Sequence, residues 1–279
     1  QIPVTLVNAR LSARSARGYG QFAALAKPAF AALAGVAAQT AQDAERLRGL
    51  AAVNVEICGN LKFDVTPAPE KIALGEQWRA QIGQRPVWLA ASTREGEEEL
   101  ILAAWQQAKS EAKSGNALFV LVPRHPQRFA EVRLLIEQAG LPCTARSHGV
   151  PDENTEVWLG DSMGEMVAYY RLADLAFIGG SLLPLGGQNL IEAAACGCPV
   201  LIGPHTFNFL QATNDALEAG AARRVDDAAS LIQSVSNLLH NTEERRQMAA
   251  AASTFAAAHR GATERTLALI ARSTGPARH

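Results

Sequence analysis

The sequence has no apolar run long enough to cross a bilayer and no recognisable secretory signal. It has only four cysteines, Cys58, Cys143, Cys196 and Cys198. None forms a CxxC pair or adjoins a histidine pattern, which argues against a zinc site. Cys196 and Cys198 are too close in sequence for an ordinary disulfide, so the expectation is reduced, mostly buried thiols in a cytosolic protein. Neither sign of charge is in excess, with 26 Lys and Arg against 27 Asp and Glu. The formal net charge is -1, which argues against a broad nucleic-acid surface. There is no GxxxxGK[ST] loop, no GxGxxG after the first strand, and no HExxH or GxSxG. P-loop phosphate chemistry, the usual dinucleotide fingerprint, zinc proteolysis and the serine-hydrolase elbow are therefore unsupported.

What is present suits a folded α/β protein. Hydrophobic residues make up 48% of the 279 positions and charged residues 19%, enough for one large domain or two ordinary ones. The chain opens without an initiator methionine on the strand pattern "IPVTLVNA", which leads to the expectation that it begins inside a domain. Strand-like and helical runs then alternate. "GVAAQT" and "VNVEICGN" complete a βαβαβ opening with the helical stretches between them. The segment "LKFDVTPAPEKIALGEQWRAQIGQRP" contains Pro67, Pro69 and Pro86, and reads as an interdomain linker. Alternation restarts with "PVWLAAS", "ALFVLVP", "EVWLG", "LAFIGG" and "PVLIGP", each followed by a helical pattern.

Near-continuous apolar strands separated by single helices define parallel sheets covered on both faces. A TIM barrel is the main competitor, but the proline-rich break and the restart favour two doubly wound domains. In such sheets ligands bind beyond the carboxyl ends of the strands. The alanine-rich helices at the end of the chain are expected to pack back on the second domain.

The loops after those strands hold the candidate residues. Thr93 and Arg94 follow the first strand of the second half, where Ser92 and Glu95 have capping-box spacing. Arg124, His125 and Arg128 crowd the end of the next, offering planar cations suited to phosphate or carboxylate. Ser162 and Glu165 again fit a capping box, with Gly164 in the presumed first turn, which suggests close approach to the backbone. Most telling is "FIGGSLLPLGGQNLIEAAACGCPVLIGP", Phe177 to Pro204. Two glycine pairs precede a helix start, where free N–H groups favour an anion. Glu192 would repel a phosphate, so a pair of ribose hydroxyls is its sensible target. An exposed acid matched to the helix dipole is the plainer alternative.

The motifs "NARLSARSARGY", "GNLKFD", "STREGEEEL", "LVPRHPQRF", "GDSMGEM", "ADLAFIGGSL", "GGQNLIEAAA" and "GPHTFNF" occur in this order. Together they resemble the 3-deoxy-D-manno-octulosonic acid (Kdo) transferases, from Ile2 to about Leu269. The resemblance implies a GT-B architecture: two Rossmann-like doubly wound domains facing each other across a cleft, the N-terminal one incomplete. Residues 1–60 would be the rear of the acceptor domain, 61–70 the linker and 71–279 the domain that binds the CMP-sugar donor.

The implied activity is transfer of Kdo from CMP-Kdo to a lipid A precursor in lipopolysaccharide synthesis, through an oxocarbenium-like transition state. No cofactor and no metal are implied. The missing front segment would carry a membrane anchor and the catalytic base, so this chain by itself is expected to be inactive. The full-length protein would work at the cytoplasmic face of the bacterial inner membrane.

Residue by residue, the resemblance places Arg124 and His125 at the CMP site. Ser162, Met163, Gly164 and Glu165 would form a second wall. Gly179, Gly180 and Ser181 would lie near the donor phosphate or the sugar acid. Asn189 would hold the phosphate side and Glu192 the ribose. Lys62, with Thr93 and Arg94, would face the cleft. Gln188 belongs to the same donor loop. The family commonly has histidine at the positions of Gln188 and Arg94. Neither residue can take up and release a proton near neutral pH as an imidazole does. Other readings of the same pattern are a GT-B nucleotide-sugar epimerase and a non-catalytic nucleotide-binding domain.

Overall fold

A computed structural model describes residues 2–111 and 115–273. It divides into two compact units, residues 1–65 with 258–279, and residues 66–257. The first unit opens with β1 (Thr5–Ala9), α1 (Ala13–Gln21), α2 (Ala23–Ala31), β2 (Gly35–Ala38), α3 (Ala41–Gly49) and β3 (Val55–Ile57). The three strands pair in parallel in the order β1-β2-β3, as the βαβαβ reading requires. Leu11, Val36, Ala38, Ala44, Leu47 and Val55 are buried together as its core. Ser12 caps α1 and Thr40 caps α3, each accepting a backbone N–H from three residues on.

The second unit contains α4 (Pro69–Ile82), β4 (Val87–Thr93), α5 (Glu97–Ser110), β5 (Leu118–Pro123), α6 (Phe129–Gln138), β6 (Cys143–Ala145), β7 (Val157–Leu159) and α7 (Met166–Leu172). It continues with β8 (Leu175–Ile178), α8 (Ile191–Ala195), β9 (Val200–Ile202), α9 (Leu210–Glu218), β10 (Ala222–Arg224), α10 (Ala228–His240) and α11 (Thr242–Ala258). Its seven strands are all parallel, in the order β10-β9-β8-β4-β5-β7-β6. Strands buried on both faces explain the unbroken apolar runs read from the sequence. Trp88 stacks on Phe119 with ring centroids 4.0 Å apart, and Trp105 closes on both. The three rings are buried at the centre of the larger core.

Three sequence expectations change here. The proline-rich stretch is mostly the helix α4, with Pro69 at its first turn, where a missing N–H costs nothing. The short strand β6 lies at the sheet edge and its three residues left no periodic signal. The last helix, α12 (Ala262–Ser273), does not join the second unit, where 71–279 had been placed. It packs on β1 and β2 of the first unit, with Leu269 buried against Ala37 and Cys58. Residues 274–279 of that expected domain lie outside the described residues.

Candidate functional site

The strand order locates the site. From β4 the chain builds outward on one side through β5, β7 and β6, then crosses to β8, β9 and β10 on the other. The direction of winding therefore reverses between β4 and β8. In open parallel sheets ligands bind beyond the carboxyl ends of the strands at such a point.

At the end of β4 the strand bulges, its register with β5 shifting between Ala91 and Thr93. Ser92 sits at the bulge with a φ of 56°, a region that non-glycine residues seldom enter. Ser92 is thus no helix cap: α5 begins only at Glu97, behind Gly96. The bulge turns Thr93 inward, where its hydroxyl donates to Glu98 at 2.9 Å. Glu98 is fully buried, and Arg128 donates to its other oxygen at 2.8 Å. Burial pushes the Glu98 carboxyl upward, against the bonds from Arg128 and Thr93. The backbone N–H of Arg124 donates to the Thr93 carbonyl at 2.9 Å, which holds the ends of β4 and β5 together.

Gly179 ends β8 so close to β4 that a β-carbon would stand 2.5 Å from the Ser92 carbonyl oxygen. Gly180 follows with a φ of 69°. The three N–H groups after this turn meet the carboxylate of Glu97. Gly180 donates to one oxygen at 2.6 Å, and Ser181 and Leu182 donate to the other at 2.9 Å each. Arg94 adds a fourth backbone N–H at 3.0 Å. Glu97 is fully buried. The Ser181 hydroxyl donates to the Ile178 carbonyl and accepts the Gly203 N–H, tying β8 to the end of β9. Ser181 is therefore a buried clasp whose donors and acceptor are all in use.

The glycine loop is shaped by these bonds and not by a long helix start. Gly187 and Gln188 donate back to the carbonyls of Gly180 and Gly179. Asn189 accepts the Ile191 N–H. Helix α8 has only five residues and begins at Ile191, so Gly186 and Gly187 lie in the loop ahead of it and not in its first turn. Arg94 and Gln188 come together. The Arg94 Cγ lies 3.6 Å, and the Gln188 Nε2 3.2 Å, from where a β-carbon on Gly180 would be.

Glu192 is half-buried, and its carboxylate has no hydrogen-bond or ion-pair partner among the described residues. Burial alone holds its carboxyl above the ordinary carboxylate range. Tyr170 is fully shielded, and the nearby Glu192 charge adds to the burial that raises its phenol. Arg124 and His125 are exposed at the end of β5, with side chains unpartnered among the described residues.

Beyond β7, Ser162 donates to Glu165, which also receives Arg146 at 3.1 Å. This is not the capping box expected at 162/165: α7 starts after Glu165 without a side-chain cap. Gly164 has a φ of 72° and open space where a β-carbon would be, so conformation and not a close neighbour accounts for it. Met163 is 59% exposed. The Arg146 guanidinium lies over the Trp78 ring at 4.9 Å. Lys62 is exposed on a short turn of the first unit, residues Leu61–Phe63. Glu97, Glu98 and Arg146 were missed as contributors to this network. The signal for the first two was the acidic run "EGEEEL", which is also what an ordinary helix start looks like. Among the described residues no group of three or more His, Cys, Asp or Glu could hold a metal ion.

The fold is that of the GT-B glycosyltransferases. A glycosyltransferase from Rickettsia africae superposes with a TM-score of 0.57 at 12% identity, covering 98% of this chain and 71% of that one, a likeness of fold alone. Residues 110–255 match the family described as "Glycosyl transferases group 1", and residues 1–65 match "3-Deoxy-D-manno-octulosonic-acid transferase (kdotransferase)".

The 3-deoxy-D-manno-octulosonic acid transferase of Bordetella pertussis is 44% identical over 269 residues, covering 95% of this chain and 63% of the relative. The crystal structure titled the C-terminal CMP-Kdo binding domain of WaaA from Acinetobacter baumannii is 32% identical with a TM-score of 0.63. It covers 67% of this chain, and 98% of that domain is matched. The chain belongs to the Kdo transferase family. It spans 63% of the length of the Bordetella relative.

Proposed function

We propose that the second unit binds CMP-Kdo as the donor half of a Kdo transferase, and that the whole protein moves Kdo to a lipid A precursor. The observation that carries this reading is the match to 98% of a domain titled for CMP-Kdo binding, at 32% identity. Geometry adds support at two points. Glu192 is a half-buried carboxylate with no partner among the described residues, suited to accept both hydroxyls of a ribose. The side chains of Arg124 and His125 stand exposed at a neighbouring strand end, unpartnered among the described residues and suited to the nucleotide phosphate. Ser162, Met163, Gly164 and Glu165 form the second wall, and Asn189 supports the phosphate side. Lys62 belongs to the acceptor half.

The acceptor base is assigned to no residue here. Glu97, Glu98 and Glu165 are occupied by internal hydrogen bonds, which supports a base supplied from elsewhere in the protein. The chain by itself is then expected to bind donor and to transfer little sugar. The site of action would be the cytoplasmic face of the bacterial inner membrane. Among the described residues no helix is long and apolar enough to cross a membrane. Calorimetric titration with CMP tests the reading. Heat of binding that is lost in Arg124→Ala and weakened in Glu192→Gln is the expected result. No heat at millimolar CMP from a folded protein overturns it.

A further inference from the structure

A glycine turn at a switch point ordinarily offers main-chain N–H groups to a ligand's anion. Here the offer is already taken. Four backbone N–H groups, those of Arg94, Gly180, Ser181 and Leu182, converge on the buried carboxylate of Glu97. A substrate phosphate or carboxylate arriving at this turn meets no free donor from these residues and a fixed negative charge beneath them. With these four N–H groups taken, a side-chain cation is the suitable partner for an acidic ligand at this turn.

Arg94 is placed to supply it. Its backbone is anchored by the same carboxylate, so Glu97 fixes where the side chain starts. Its stem lies along Gly180, with Cγ 3.6 Å from the vacant β-carbon position. Its guanidinium has no hydrogen-bond or ion-pair partner among the described residues. Of the other arginines near this end, Arg128 is spent on Glu98 and Glu131, and Arg124 stands exposed at the neighbouring strand end, on the far side of Thr93 from this turn. We propose that Glu97 is a resident anion filling the main-chain cradle, and that Arg94 reads the acidic group of the donor in place of the glycine loop. Glu97 is then a positioning residue and Arg94 a specificity-determining one. This rests on the donor-site reading above.

The ligand chemistry is an oxyanion that accepts a forked guanidinium, and the donor carries two: the nucleotide phosphate and the sugar carboxylate. Titration of native protein, Arg94→Ala and Arg94→Lys with cytidine, CMP and CMP-Kdo separates them. Arg94→Ala is expected to bind an acidic ligand about 10-fold or more weakly, the usual scale for a lost charge-assisted hydrogen bond. Cytidine binding stays unchanged, and Arg94→Lys recovers part of the loss. Weakening already seen with CMP assigns the phosphate, and weakening seen only with CMP-Kdo assigns the sugar carboxylate. Equal weakening of cytidine, or no change with any ligand while the native protein binds CMP, overturns the proposal. Native protein that binds none of the three sinks the donor-site reading itself, a separate result. Thermal melting of each variant confirms that it is folded.

Discussion

The carboxylate of Glu97 accepts the backbone N–H of Ser181 at 2.9 Å, across 84 positions of sequence. This bond and its neighbours fasten the start of α5 to the turn after β8. The two loops at the switch point are thereby one object. Replacing Glu97 by glutamine puts an amide NH2 among backbone donors, and at least one donor is left unpaired in a fully buried place. We expect Glu97→Gln to lose about 3 kcal/mol of stability, measured by urea denaturation at neutral pH. A loss well under 1 kcal/mol would show that the turn holds its shape without the carboxylate.

Gly179 and Gly164 make a contrasting pair. A β-carbon at Gly179 would stand 2.5 Å from the Ser92 oxygen and 2.6 Å from the Thr93 Cα, both backbone atoms that cannot swing away. At Gly164 nothing lies within 4 Å, and only the φ of 72° resists. Gly164→Ala should therefore cost about 1 kcal/mol and Gly179→Ala about 3 kcal/mol or more. Equal denaturation midpoints for the two variants would contradict this ranking.

Arg128 and Glu98 form the most buried ion pair of the site, with side chains 11% and 0% exposed. Arg128→Met leaves a buried carboxylate whose remaining side-chain partner among the described residues is Thr93. About 3 to 5 kcal/mol should be lost at neutral pH. Burial already holds the Glu98 carboxyl above its ordinary range, and removing the arginine raises it further. The proton is thus bound more tightly in the folded variant than in the unfolded chain, and the deficit should shrink as pH falls. Melting curves of native and variant protein across acidic pH check it. A deficit that stays constant with pH would mean that lost packing, not charge, is the cause.

Glu192 links stability to pH through burial alone. Its folded carboxyl is held above the ordinary value of about 4.3, so the unfolded chain releases this proton at lower pH than the folded protein does. Stability must fall as pH rises through that window. Glu192→Gln removes the charge and keeps the shape. It should melt higher than native protein at about pH 7 and at the same temperature at about pH 4 or below. Cytidine affinity should drop in the same variant. A lower melting temperature at neutral pH would show that Glu192 has a stabilising partner.

Much of this was legible in the sequence, and what was not had physical reasons. The strands β4, β5, β8 and β9 read clearly because both faces are covered, so their positions are apolar apart from Ser92 and Thr93 at the end of β4. Helix α4 was hidden because Pro67 and Pro69 look like a linker, whereas Pro69 only opens a helix. Ser92 with Glu95, and Ser162 with Glu165, have the spacing of capping boxes, yet neither pair caps a helix. In the first, a bulge displaces the helix start. In the second, Arg146 draws Glu165 away from the backbone.

The sequence by itself determined the alternation of elements and the family. Those follow from local periodicity and from motif order, which need no coordinates. Only the tertiary structure decided which acid does what. Glu95 is exposed, Glu97 fills the turn after β8 and Glu98 pairs with Arg128, though all three share one short acidic run. Glu97 and Glu98 each have one local partner, but the ones that separate their roles, the turn at Gly180–Leu182 and Arg128, lie tens of positions away. A carboxylate's role is set by the donors and the solvent around it, and local spacing cannot encode either.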